Sequence, residues 1–98
     1  MNNIIMSKMI SGKIKSIILD ENNMFIEFET GETYYSEIIK GSIQCKIFNE
    51  KNKIVPLYYL ENGDLIRIKI LENIIKKIYI NSKYCFMSDS TDEEYLSI

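Results

Sequence analysis

The chain has 98 residues, 46% of them hydrophobic, and a formal net charge of −2. This length fits one domain, and the apolar share is too high for a disordered chain. The small net charge excludes attraction of the whole surface to nucleic acid or to an anionic membrane. No apolar run approaches the ~18 residues that span a membrane, and the N-terminus lacks a signal-peptide pattern. We therefore expect an intracellular, cytoplasmic protein.

Isoleucine dominates the apolar residues. The sequence has 20 Ile, 6 Leu and a single Val, and it contains no Ala, Trp or His. β-Branched side chains pack well on a pleated sheet, and Ala is the residue that helices favour most. The composition therefore predicts an all-β protein.

The first 30 residues predict two strands. Residues 8–19 alternate loosely between apolar and polar side chains, and Gly12 within them indicates a bulge or a sharp bend. Residues 20–23 form a turn cluster, after which residues 24–30 alternate cleanly. We expect a long, bent hairpin.

The middle of the chain is less regular. After the β-forming residues 33–35, residues 36–41 are short enough for one helical turn, and residues 43–48 alternate as a third strand. Residues 54–60 are apolar, but Pro56 confines them to an edge or a connection.

Two further strands are predicted after a turn at residues 62–64. Residues 65–71 alternate and form the fourth. Residues 71–80 fit either helical or strand spacing, and we assign a strand because the segment is Ile-rich and residues 72–73 suit a hairpin turn. The predicted core comprises Ile14, Ile26, Phe28, Ile43, Cys45, Ile47, Ile66, Ile68, Ile78 and Ile80.

Five strand signals and a bent first strand predict a small five-stranded barrel over residues 8–87, with an N-terminal arm (1–7) and a mobile acidic tail (88–98). Residues 60–68 read LENGDLIRI, and this Gly-Asp turn before an alternating strand resembles the entry to the fourth strand of an OB-fold. Pro56 stands where many OB-folds have a helix. An SH3-like barrel or a small β-sandwich therefore remains an alternative.

The residues for common catalytic chemistry are absent from the sequence. Without His there is no His-dependent acid–base pair or triad, and the glycines are isolated rather than grouped in a phosphate-binding loop. Cys45 and Cys85 lie far apart with no partners at metal-ligand spacing, so we expect reduced, unligated thiols. Glu27 and Glu29 fit a solvated strand face. We expect a protein that is not an enzyme and has no cofactor or metal.

The OB-fold resemblance implies binding of single-stranded nucleic acid on strands two and three and the loops beside them, where outward aromatic rings stack on bases and Lys or Arg contact phosphates. Phe25 and Phe48 are the sharpest candidates, unless outer aromatic residues instead pack under a tail or partner. The outward residues expected to bind are Lys13, Lys15, Phe25, Lys46, Phe48, Arg67, Lys69, Lys77 and Tyr79.

The C-terminal tail differs from the body in charge. Residues 1–87 carry +2 and residues 88–98 carry −4. An acidic segment with an apolar tip resembles the partner-binding tails of single-stranded-DNA-binding proteins, and the alternative is a solvated terminus that aids solubility. The residues of this candidate partner-binding tail are Asp92, Glu93, Glu94, Tyr95, Leu96 and Ile98.

Two functions therefore follow from the sequence. The first is a non-catalytic module that binds single-stranded nucleic acid. The alternative is a protein-interaction or homo-oligomeric assembly module, with a protein partner at the tail or a second copy of the chain. The bias towards Ile, Lys and Asn indicates an A/T-rich genome, such as that of a large DNA virus or its satellite.

Overall fold

The computed structural model describes residues 6–83, and these contain eight β-strands and no α-helix. The all-β prediction is confirmed. A single turn of 3₁₀ helix, Leu57–Tyr59, interrupts the strands. The strands are β1 (Lys8–Leu19), β2 (Asn23–Phe28), β3 (Thr33–Ile39), β4 (Ser42–Ile43), β5 (Lys46–Phe48), β6 (Ile54–Val55), β7 (Leu65–Leu71) and β8 (Ile74–Ser82).

Five of the strands close a ring of pairings. β1 pairs with β7 through its first half and with β2 through its second half, and β2–β3 and β7–β8 are also antiparallel. The ring closes where β3 and β8 meet in parallel at Tyr35 and Ile74. β4 extends the sheet from β3, while β5 and then β6 extend it from β8.

β1 pairs with two neighbours in succession, and an irregularity marks the change from one to the other. A Cβ atom at Gly12 would lie 2.5 Å from the ring of Phe28, so this position tolerates no side chain without movement. Just beyond it, the β1–β2 register shifts between Ile14 and Ser16, with Lys15 as the extra residue. The bulge predicted for this strand is therefore present, but at Lys15 rather than at Gly12.

The core fills the inside of the ring. Nine of the ten predicted core residues are buried, and the tenth, Ile43, is half-buried. In β7 the sequence alternation correctly predicted the inward face, because Ile66, Ile68 and Ile70 are buried while Arg67 is exposed. The core also contains Met24, Tyr34, Leu60, Ile70 and Ile75.

The prediction for residues 36–48 was wrong in its strand boundaries and in the helical turn. The third strand of the ring is β3, Thr33–Ile39, so residues 36–41 do not form a helical turn. Its inward positions include Ser36, which is fully buried, and a polar residue there conceals the alternation. Lys40 and Gly41 both have positive φ and end the strand, and the predicted strand 43–48 is split between β4 and β5.

Three further local predictions are confirmed. Residues 74–82 form a strand rather than a helix, after a turn in which Glu72 has a φ of 62°. Gly63, with a φ of 96°, lies in the turn before β7. Pro56 follows the short strand β6 at one edge of the sheet and begins a connection.

The predicted arm and tail lie largely outside the described residues, as do residues 84–87 of the predicted domain. Within residues 6–83, no helix has the length and apolar character needed to cross a membrane.

Candidate nucleic-acid interface

Charge is divided between two sides of the ring. β1, β5, β6, β7 and β8 contain no Asp or Glu, yet they hold eight of the chain's 12 Lys and Arg residues. β2 and β3 contain Glu27 and Glu37 and no basic residue. We call the outward surface of β5, β8, β7 and the first half of β1 the basic side, and that of β2 and β3 the acidic side.

An aromatic row crosses the basic side. Strand pairing sets Phe48 of β5 beside Tyr79 of β8, and Tyr79 beside Arg67 of β7. The Phe48 and Tyr79 rings stack with centroids 5.2 Å apart and an angle of 15° between their planes. The Cζ atom of Arg67 lies 5.6 Å from the centroid of the Tyr79 ring. Tyr79 is therefore held between an aromatic ring and a cation.

A lysine row runs beside the aromatic row, two residues along the strands. Lys46 is paired with Lys77, and Lys77 with Lys69. Neighbouring strands lie ~4.8 Å apart, so three positive charges cross about 10 Å of sheet. Among the described residues, no carboxylate comes within 4.0 Å of these ammonium groups. Like charges on adjacent strands repel, and an anion bound across them would remove that cost.

Lys13 belongs to the same surface. It is exposed on β1 and pairs with Leu65 of β7, one row beyond Arg67. Seven of the nine predicted binding residues therefore lie on the basic side: Lys13, Lys46, Phe48, Arg67, Lys69, Lys77 and Tyr79.

The other two predicted residues lie apart from these rows. The ammonium group of Lys15 is 3.9 Å from the carboxylate of Glu27, which also accepts a hydrogen bond from Ser16. Phe25 lies on the acidic side, where its ring centroid is 6.0 Å from that of Tyr35. The structure does not bring Phe25 and Phe48 to one surface.

A buried ion pair borders the basic side, and the sequence analysis missed it. The carboxylate of Asp64 is fully buried and accepts hydrogen bonds from Lys83 Nζ at 2.7 Å and from the Glu61 amide at 2.9 Å. Lys83 also donates to the carbonyl of Tyr59 and lies over its ring. The pair joins the start of β7 to the end of β8. Asp64 carries only a turn signal in the sequence, and no signal marks Lys83.

Cys45 is buried, as predicted. Burial raises the pKa of its thiol, and a hydrogen bond with Ser36 partly offsets that rise. Cys85 and the tail residues Asp92, Glu93, Glu94, Tyr95, Leu96 and Ile98 lie outside the described residues.

A second candidate surface is an apolar groove of about 390 Å³ between the end of β1 and the 3₁₀ turn. Two of the residues that line it are well exposed to solvent, Leu19 to 55% and Tyr58 to 83%. Such a surface fits an apolar partner better than a polyanion. The residues lining it are Ile17, Leu19, Leu57, Tyr58, Leu60, Glu61 and Asn62.

Comparison with known proteins gives one partial similarity. The chain is 36% identical over 64 residues to the DNA mismatch repair protein MutS of Alkaliphilus oremlandii (strain OhILAs). The match covers 61% of this chain and 7% of that protein. No protein-family model matches the chain. No solved structure matches it either.

Proposed function

We propose that this chain is a non-catalytic, OB-fold-like module that binds single-stranded nucleic acid on its basic side. The observation that carries the proposal is the pair of parallel rows, one of Arg67, Tyr79 and Phe48 and one of three lysines. Proteins that bind single strands combine aromatic rings for base stacking with cations that follow the backbone.

The ring of five strands supports the OB-like part of this proposal, although the basic side differs from the face of strands two and three that binds ligands in OB-folds. An OB-fold is a five-stranded, partly open barrel, and the ring here closes through a single paired position between β3 and β8. The partial similarity to a protein named for DNA mismatch repair also agrees with a nucleic-acid ligand.

The charge distribution favours attraction of a nucleic acid to the basic side rather than to the whole protein surface. The whole chain carries −2, yet the strands of the basic side contain no carboxylate. Asp64 is adjacent in sequence to β7, but its carboxylate is buried against Lys83. The basic side therefore presents positive charge to a ligand although the protein as a whole is acidic.

The alternative function is a protein-interaction or assembly module, and the apolar groove favours it. Leu19 and Tyr58 would contribute apolar area to an interface with a second copy or another protein. Such binding would depend weakly on salt, whereas binding of nucleic acid weakens steeply as salt rises.

Fluorescence anisotropy with a labelled thymidine strand of about 12 nucleotides, within the ~4–16 that OB folds cover, tests the proposal. We expect the wild type to bind at low salt and to bind a duplex of equal charge less well. Lys46→Glu with Lys77→Glu should abolish measurable binding, because it breaks the lysine row.

Lys40→Glu with Lys51→Glu is the matched control, since both residues are exposed in turns outside the strands and the change in charge is identical. Circular dichroism checks that each variant is folded. Absence of binding by the wild type at low salt, or equal losses in the two double variants, would contradict the proposal. Analytical ultracentrifugation of the same samples would then test self-assembly.

A further inference from the structure

We infer that the nucleic-acid strand crosses the β-strands, with its phosphates along Lys69, Lys77 and Lys46 and a base stacked on Phe48 rather than on Tyr79. The inference rests on the proposed function and specifies how its ligand lies. It follows from the register of three strands and from which ring faces are already covered.

The direction of the ligand follows from the lysine row. The three lysines lie on three adjacent strands at paired positions, so the row runs perpendicular to the strands. The aromatic row is parallel to it, ~7 Å away, because two residues of a strand rise by about that distance. If the phosphates of the nucleic acid lie along the lysine row, its bases lie close to the aromatic row.

Both faces of Tyr79 are occupied. Phe48 and Arg67 lie on opposite sides of β8, so the stacked Phe48 ring covers one face of Tyr79 and the guanidinium of Arg67 covers the other. Tyr79 therefore acts as a positioning residue that holds Phe48 and Arg67 in place. A base has no free face of Tyr79 on which to stack.

Phe48 has one covered face and one face directed away from Tyr79. That second face points towards β6, where Ile54 is paired with Phe48 and is 64% exposed. A base stacked on that face would therefore have to displace the Ile54 side chain, which its high exposure on an edge strand permits. This arrangement accepts any base, because every base has an aromatic face.

Two probes separate stacking from phosphate contacts: the thymidine strand of about 12 nucleotides and an abasic strand of equal length. Phe48→Leu keeps an apolar side chain but removes the ring. It should weaken binding of the thymidine strand by about 5- to 150-fold and leave binding of the abasic strand unchanged. Lys77→Gln should weaken binding of both strands, and it should reduce the salt slope by about 0.7.

Phe25→Leu is the matched control, because Phe25 is the other candidate ring and lies on the acidic side. It should change neither affinity. The salt slope gives a second readout for the thymidine strand, since Phe48→Leu should leave it unchanged. The inference would be overturned if Phe48→Leu weakened binding of both strands or changed the salt slope. It would also be overturned if Phe25→Leu, and not Phe48→Leu, weakened binding of the thymidine strand. A wild type that binds neither probe would instead refute the proposed function.

Discussion

The basic and acidic sides of the ring use the same backbone pattern for different surfaces. On both sides, buried apolar residues alternate with outward residues along each strand. On the basic side the outward residues include cations and stacked rings, whereas on the acidic side Phe25 and Tyr35 adjoin Glu27 and Glu37. The inward residues therefore determine the fold, while the outward residues can differ between the two sides and determine which ligand each side binds.

The largest expected effect concerns the core that the two sides share. Ile68 of β7 and Ile26 of β2 are both fully buried. We expect Ile68→Ala and Ile26→Ala each to lower the free energy of unfolding by about 2–5 kcal/mol. Urea denaturation followed by circular dichroism measures both. A large loss in one variant and none in the other would show that the two sides do not share one cooperative core.

The next effect concerns the residue where β1 passes from one neighbour to the other. Gly12→Ala places a methyl group against the Phe28 ring, so we expect a loss of about 1–3 kcal/mol from overpacking. Thermal unfolding of this variant gives the measurement. Restoration of stability by a second change, Phe28→Leu, would confirm that the ring is the cause. An unchanged unfolding temperature in Gly12→Ala would contradict the close contact.

A charge change on the acidic side gives a smaller effect. Glu27→Lys with Glu37→Lys makes that side basic, but it creates no lysine row beside stacked rings. Exposed charges contribute about 0–1 kcal/mol each, so we expect the affinity for the thymidine strand to rise only a few-fold. Anisotropy titrations at two salt concentrations check this. A gain that survives removal of Phe48 would place a binding site on the acidic side.

The smallest effect concerns Cys45 and pH. Burial raises the pKa of this thiol in the folded state, so the folded protein holds the proton more tightly than the unfolded chain does. This stabilisation is complete below the ordinary thiol pKa of 9.0 and is lost as the pH rises above it. The stability of the wild type should therefore fall more between pH 8 and pH 10 than that of Cys45→Ala, as denaturation at each pH would show. An equal fall in stability in the wild type and in Cys45→Ala would contradict this prediction.

The sequence predicted those parts of the fold whose pattern is local. The alternation of Ile66, Arg67 and Ile68 was enough to assign β7 and its inward face. The third ring strand could not be recognised, because Ser36 occupies an inward position and interrupts the apolar pattern. The Ser36 hydroxyl donates a hydrogen bond to the carbonyl of Glu37 and contacts the thiol of Cys45, and the sequence gives no signal of either contact.

The sequence predicted most of the residues of the candidate site, but it did not predict which of them lie together on one surface. Alternation identified Phe25 and Phe48 as outward residues, but only the strand order places them on different sides. Lys15 was likewise outward, yet the bulge brings it to Glu27. Pairing between distant strands decides which side chains meet, and one sequence carries no direct signal of that pairing.

The two-sided pairing of β1 has a consequence for folding. The residues that β1 joins to β7 are far apart in the chain, from 52 positions between Lys13 and Leu65 to 62 between Lys8 and Ile70. The β1–β2–β3 meander and the β7–β8 hairpin need only short loops, so we expect them to form earlier. Until β7 docks, the first half of β1 remains an unpaired strand edge. The basic side, which needs β1, β7, β8 and β5 together, therefore exists only after the slow, long-range step is complete.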